Sequence, residues 1–306
     1  MAASATGPKP GDRPLHYLRQ RIRRVPGLEV TGWPKLERPS LVVSFEGWND
    51  AGEAATLATS FLSQAWQAVP FATIDPEEYF DFTEIRPEIT SRDAASQVIE
   101  WPSTVVSVAT VPTGASGDVV LVRGHEPHLR WRQFAGVFVK LARRLHVAQV
   151  VTLGAYLAEI THDRPVPVSA AASEAARLDE HGLAPSAYEG PTGIVGVLGL
   201  ALAEAGIQST SLWASVPCYS LPVSPKAATA LVGAVGRLLA TRIVTTELDE
   251  LAVEYEQRMD ELVRDDENVA VYVARIQELE EALGGELSAE RLAAEVERFL
   301  RDKPAH

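Results

Sequence analysis

Two short stretches concentrate the side chains able to do chemistry. One is Glu46-Gly47-Trp48-Asn49-Asp50 and the other is Gly124-His125-Glu126-Pro127-His128. Carboxylates, an amide and an imidazole sharing a crevice could move protons or hold a polar ligand. A third candidate is Thr192-Gly193, which opens a glycine-rich apolar run. Free backbone N–H groups at a helix start attract anions. The candidate ligand pocket is therefore Glu46, Asn49, Asp50, His125, Glu126, Thr192 and Gly193. Thr161-His162-Asp163-Arg164 follows another apolar run and could join it. Each residue also has a plainer role. Asn49 and Asp50 are suited to helix capping. Glycines 193, 196 and 199 recur every three residues and suit close packing of a helix on a sheet.

No complete catalytic motif is present. His125-Glu126-Pro127-His128 lacks the H-E-x-x-H spacing, and Pro127 disturbs any helix that would align the histidines. No metal is expected. Neither a phosphate loop nor G-x-G-x-x-G after the first strand is found, so no cofactor is expected either. Gly114-Ala115-Ser116-Gly117 is a turn, not a nucleophile elbow. Cys218 is the only cysteine and reads as a small core residue. A lone cysteine excludes an internal disulfide and fits a reducing, cytoplasmic setting. The first residues, Met1 to Pro14, have no apolar core of a signal peptide. The longest apolar stretch, Gly193 to Ala203, is far short of the ~20 residues that span a bilayer.

The net charge is −13 and is unevenly spread. From Glu247 onward there are 18 acidic against 7 basic residues, a net of −11. Residues 1–39 hold 8 basic against 3 acidic, a net of +5, including Arg19, Arg21, Arg23 and Arg24. An acidic total argues against nucleic-acid and anionic-membrane partners.

The elements that must position these residues follow from periodicity. Residues 1–38 are aperiodic and rich in Pro and Arg, which predicts a poorly ordered lead-in. Leu41–Phe45, Phe71–Ile74, Thr104–Val111, Val119–Arg123, Val150–Ala155, Pro165–Ser169 and Leu212–Val216 read as strands, with Tyr79–Phe82 a further apolar stretch. Helices are expected after Asp50, from about Pro127 to His146, over Ser173–Glu180, from Gly193 to Ala205, and from Pro225 to about Thr245. Strands and helices alternate from 39 to 245, which predicts an α/β three-layer sandwich with a mostly parallel sheet. Residues 246–306 read as an acidic helical extension, broken near Asp265-Asp266-Glu267-Asn268. Leu251, Tyr255, Leu262, Tyr272, Ile276 and Leu279 form a narrow apolar stripe on it. Such a stripe needs a partner, either the body of the chain or another protein. A last helix is expected after Ser288, carrying Leu292, Val296, Phe299 and Leu300.

The loops are most telling in combination. They are Phe45-Glu46-Gly47-Trp48-Asn49-Asp50-Ala51-Gly52, then Gly124-His125-Glu126-Pro127, then Tyr188-Glu189-Gly190-Pro191-Thr192-Gly193-Ile194-Val195-Gly196, with Leu212-Trp213-Ala214-Ser215-Val216-Pro217 behind. With these, over roughly residues 40–245, the chain resembles the proteasome assembly chaperone family in its bacterial, chiefly actinobacterial branch. The resemblance implies a three-layer fold similar to nucleoside phosphorylases, self-association as a homotrimer, and non-enzymatic binding of proteasome subunits. Eukaryotic and archaeal members often dock through a hydrophobic–Tyr–any-residue tail. This chain ends Lys303-Pro304-Ala305-His306 and departs from that pattern. The family carries no catalytic residues over. Two readings follow: a homo-oligomeric protein-binding scaffold, and a nucleoside- or phosphate-binding protein or enzyme using the crevice.

Overall fold

Apolar, β-branched runs buried on both sides make strands for the middle of a sheet. In Ser40–Glu46 every residue but the last is buried. Leu41, Val43 and Phe45 face one helical layer, and Val42 faces the other. The computed structural model describes residues 25, 27–93, 96–111, 117–174, 176–186 and 188–282. Its strands are β1 (Leu28–Val30), β2 (Ser40–Glu46), β3 (Val69–Ile74), β4 (Glu88–Asp93), β5 (Ser96–Glu100), β6 (Thr104–Thr110), β7 (Asp118–His125), β8 (Gln149–Ala158), β9 (Val168–Ala172), β10 (Ala184–Pro185) and β11 (Ser209–Pro217).

Nine of them form one sheet in the order β1-β3-β6-β7-β2-β8-β11-β9-β10. The central four, β7-β2-β8-β11, are parallel. Antiparallel strands flank them, so the sheet is mixed. Helices α1 (Ala54–Ala65) and α5 (Pro225–Leu238) cover one face. Helices α2 (Trp131–Leu145) and α4 (Ile194–Glu204) cover the other. There Phe45 meets Phe134 and Phe138 with ring centroids 5.7 and 5.8 Å apart. A short α3 (Ala176–Glu180) follows β9. The chain then continues through α6 (Thr246–Asp265), which packs on α5, into α7 (Glu267–Ala282).

The α/β sandwich is as expected, with several local differences. The sheet begins inside the expected lead-in, because β1 pairs with β3 and Val25 is buried. Tyr79–Phe82 is not extended; a 3-10 turn at Pro76–Glu78 leads into it, capped by Asp75. The hairpin β4–β5 forms a separate two-stranded sheet. Helix α2 starts at Trp131, not Pro127. Arg130 is left-handed, and the His128 and Leu129 amides bond to the Tyr79 carbonyl. Helix α5 stops at Leu238, because Ala240 turns left-handed and the Thr241 amide returns to Gly236. The break at Asp266 is where the sequence places it. Its backbone is extended, and its Oδ1 accepts from the amides of Asn268 and Val269. The expected helix after Ser288 lies outside the described residues.

Candidate functional site

The carboxyl ends of the parallel strands bring the three candidate loops together. The first loop leaves β2. Asp50 accepts from the Ala55 amide at 2.6 Å, from the Thr56 amide at 3.3 Å, and from the Thr56 hydroxyl. It therefore satisfies free N–H groups at the start of α1, as its type predicts. Burial pushes the Asp50 carboxyl up to about 6 in spite of these bonds. Asn49 does no capping. Its carbonyl accepts from the Ala155 amide at 2.8 Å, and its side chain is fully buried.

Glu126 is the centre of the junction. Its Oε1 accepts from Asn49 Nδ2 at 2.6 Å and from the Ile194 amide at 2.8 Å. Its own amide donates to the Glu46 carbonyl at 2.9 Å. One carboxylate thus ties β2, β7 and α4 at a single point. The amide at the α4 N-terminus is taken by an internal anion rather than left for an external one. Gly193 completes the joint. A Cβ built there would fall far inside the radius of Asn49 Oδ1. That oxygen is buried and accepts no hydrogen bond from a described residue. Thr192 is exposed and makes only a 3.4 Å contact to the Gly193 carbonyl.

Next to the joint, His125 Nδ1–H donates to Glu46 Oε2 at 2.9 Å. That bond is the main reason the Glu46 carboxyl sits below its usual range. Glu46, Asp50, Glu53, Ser60 and Arg123 line an open cleft of about 490 Å3. Arg123 donates to Ser60 Oγ at 2.5 Å. Among the described residues no group of His, Cys, Asp and Glu is arranged to hold a metal. The seven pocket residues therefore lie close together. Six of them are spent on one another, on a helix cap or on packing.

The helical extension has its own site on the body. His162 was a candidate for the crevice but serves the extension instead. The Tyr219 hydroxyl lies 2.8 Å from His162 Nδ1, and His162 Nε2 lies 3.0 Å from Asp260 Oδ1. A carboxylate only accepts, so Nε2 donates to Asp260. Lys226 donates to the His162 carbonyl and pairs with Glu256. The Tyr255 hydroxyl meets Ser220 Oγ at 2.8 Å. The Tyr272 ring stands edge-on to Tyr219. Cys218, expected in the core, is exposed there.

Of the two covers expected for the apolar stripe, the body of the chain is the one most of it meets. Tyr255 and Ile276 are buried within the chain, and Tyr272, Leu262 and Leu279 are half-buried. Of the stripe only Leu251 is exposed. The spacing was legible. The latch at Tyr219, Ser220 and Lys226 was not, because no motif marks a contact between distant loops and helices.

The PAC2 family model matches residues 44–263. The chain belongs to the PAC2 family. The match spans the joint at Asn49, Glu126 and Gly193 and ends inside α6, so most of α6 falls within the PAC2 unit. A PAC2 family protein from Streptomyces avermitilis is 44% identical, with a TM-score of 0.72 over 77% of this chain and 99% of that one. A proteasome-assembly chaperone homologue from Mycobacterium tuberculosis is 42% identical, with a TM-score of 0.70 over 76% and 99%. An archaeal proteasome activator from Pyrococcus furiosus shares the fold at 21% identity, with a TM-score of 0.63 over 77% and 97%. No curated protein matches this PAC2 chain at significant similarity. No described helix is long and apolar enough to cross a membrane.

Proposed function

We propose that this PAC2 chain is a non-enzymatic, self-associating scaffold of the cytoplasm that binds a proteasome component. The observation that carries this reading is the 42% identity, over 76% of this chain and 99% of the other, to a proteasome-assembly chaperone homologue. The chemistry of the crevice supports it. Glu126 spends its carboxylate on Asn49 and on the start of α4, which is the work of a joint. Trp48 and Tyr188 stand exposed on two of the joined loops. Large aromatics on a rigid frame suit protein contact. A homotrimer is the assembly we assign to it.

The test is co-elution of the purified chain with proteasome core particles, and with free α-subunits, from the same cells. A complex at concentrations on the order of 10 μM is expected, weakened by Trp48→Ala with Tyr188→Ala. A chain that self-associates but elutes apart from both preparations would overturn the proteasome assignment.

A further inference from the structure

The outer side of α4 has the wrong composition for a surface. A helix that is apolar all round belongs inside a structure. From Gly190 to Ala203 no residue is charged, and Thr192 alone is polar. Ile194, Val195, Leu198 and Leu202 are buried in the core. The other side presents half-buried Val197, then Leu200, 68% exposed, and Ala203. The one charged residue of α4, Glu204, is its last. Helix α2 beside it is the opposite, with exposed Arg132, Lys140 and Arg143 and no acid. Arg143 donates to the Ala205 carbonyl at 3.2 Å, so this cationic row ends against the end of α4. None of the three cations is in an ion pair among the described residues.

The β4–β5 hairpin has the complementary surface. Its strands pair only with each other, and neither contributes to the apolar core. A two-stranded ribbon is marginal by itself in water. One side carries the cross-strand pair Ile89 and Ile99, 68% and 53% exposed, and exposed Trp101 follows on from it. The other side sets Glu88 directly across from Glu100, both exposed. Like charges so placed destabilise a ribbon. The hairpin thus gains from an apolar cover on one side and from cations near its carboxylates.

Ile89, Ile99 and Leu200 are all exposed, so hairpin and α4 do not meet within one chain. A second copy offers each what it lacks: apolar surface for apolar surface, and the α2 cations for Glu88 and Glu100. We infer that the β4–β5 hairpin of one copy packs its Ile89 and Ile99 side on the outer face of α4 of a neighbouring copy. This rests on the self-association in the proposed function and supplies its contact. Unlike surfaces meet, so the contact is head-to-tail, and such contacts close into rings when the rotation allows. Ribbon and helix each offer a footprint of roughly 17 by 10 Å. That is short of the ~800 Å2 a side of a stable pair. Closure, in which every copy both gives and receives a hairpin, is what holds the assembly, and the homotrimer is the ring assigned here.

The test uses the full chain with Cys218→Ser as background. Ile99→Cys in one preparation and Leu200→Cys in another are mixed and oxidised. A disulfide joining one chain of each kind is expected in the mixture, and none in either preparation alone. Light scattering is the second measurement. The wild type is expected as a multi-chain species, and Leu200→Glu and Ile99→Lys should each have the mass of one chain, 33.1 kDa. Both positions are exposed, so each variant should melt as the wild type does. A mixture without the mixed disulfide, or like chains joined in one preparation alone, would overturn the head-to-tail contact. Leu200→Glu at wild-type mass would overturn it too and leave self-association standing. A fall in its melting temperature would then show that α4 is covered by its own chain. A wild type that is one chain, up to about 100 μM, would remove both the contact and the self-association.

Discussion

At the scale of single residues, the joint depends on shape at one position and charge at another. Gly193→Ala places a methyl where Asn49 Oδ1 lies. Asn49 must then leave Glu126, and a half-buried carboxylate loses a donor. Overpacking and the lost part-buried hydrogen bond together cost about 2–4 kcal/mol, which urea unfolding would read. An alanine variant as stable as the wild type would refute the joint. Asp50 makes a pH prediction. Its folded pKa, about 6, lies above its unfolded value of 3.8. The native state therefore binds the proton more tightly, and Asp50's contribution is fully present below pH 3.8 and lost as pH rises through 6. The stability of Asp50→Asn relative to the wild type should thus rise by up to about 3 kcal/mol between acid and neutral pH. A constant difference across that range would show that burial does not control this carboxyl. Residue types alone pointed to Glu46, Asn49, Asp50, His125 and Glu126. Their mutual satisfaction was not legible, because only the fold sets Glu126 against the Ile194 amide.

At the scale of elements, α6 is held by its buried side. Met259 is fully buried. Met259→Ala should cost about 2–4 kcal/mol, or several degrees of melting temperature. His162→Ala should mainly loosen the helices. It removes the bridge between Tyr219 and Asp260. Faster proteolysis within 246–282, with little change in melting, is the expected result. Cleavage at wild-type rate would mean the bridge does not hold the extension. The same contrast explains which elements were readable. Strand β2 announces itself because Leu41-Val42-Val43 is apolar toward both helical layers. The Asp265-Asp266-Glu267-Asn268 break was readable because short acids cap their own backbone. The β4–β5 hairpin was not. Its apolar cross-strand pair, Ile89 with Ile99, is exposed, and its other positions are largely polar, so no core-facing period marks it. The start of α2 was missed for a tertiary reason, the capture of His128 and Leu129 by the Tyr79 carbonyl.

At the scale of the molecule, charge and packing disagree about where the body ends. Composition changes at Glu247, beyond which the net charge is −11, so the sequence divides there. The core does not. Leu248 belongs to the same apolar cluster as α1 and α5, and Tyr255, Met259, Val273 and Ile276 are also buried. An appendage free to leave would keep few such contacts. Body and helices are therefore expected to unfold together, in one calorimetric transition whose measured and van't Hoff enthalpies agree. Truncation after Thr245 should bare the outer side of α5 and lower the melting temperature by more than ten degrees, or leave the chain insoluble, since each lost core side chain is worth ~2 kcal/mol. Two transitions in the whole chain, or a truncated body melting as before, would mean that the acidic helices only rest on the fold. In that case their face toward α5 would again be available to another protein.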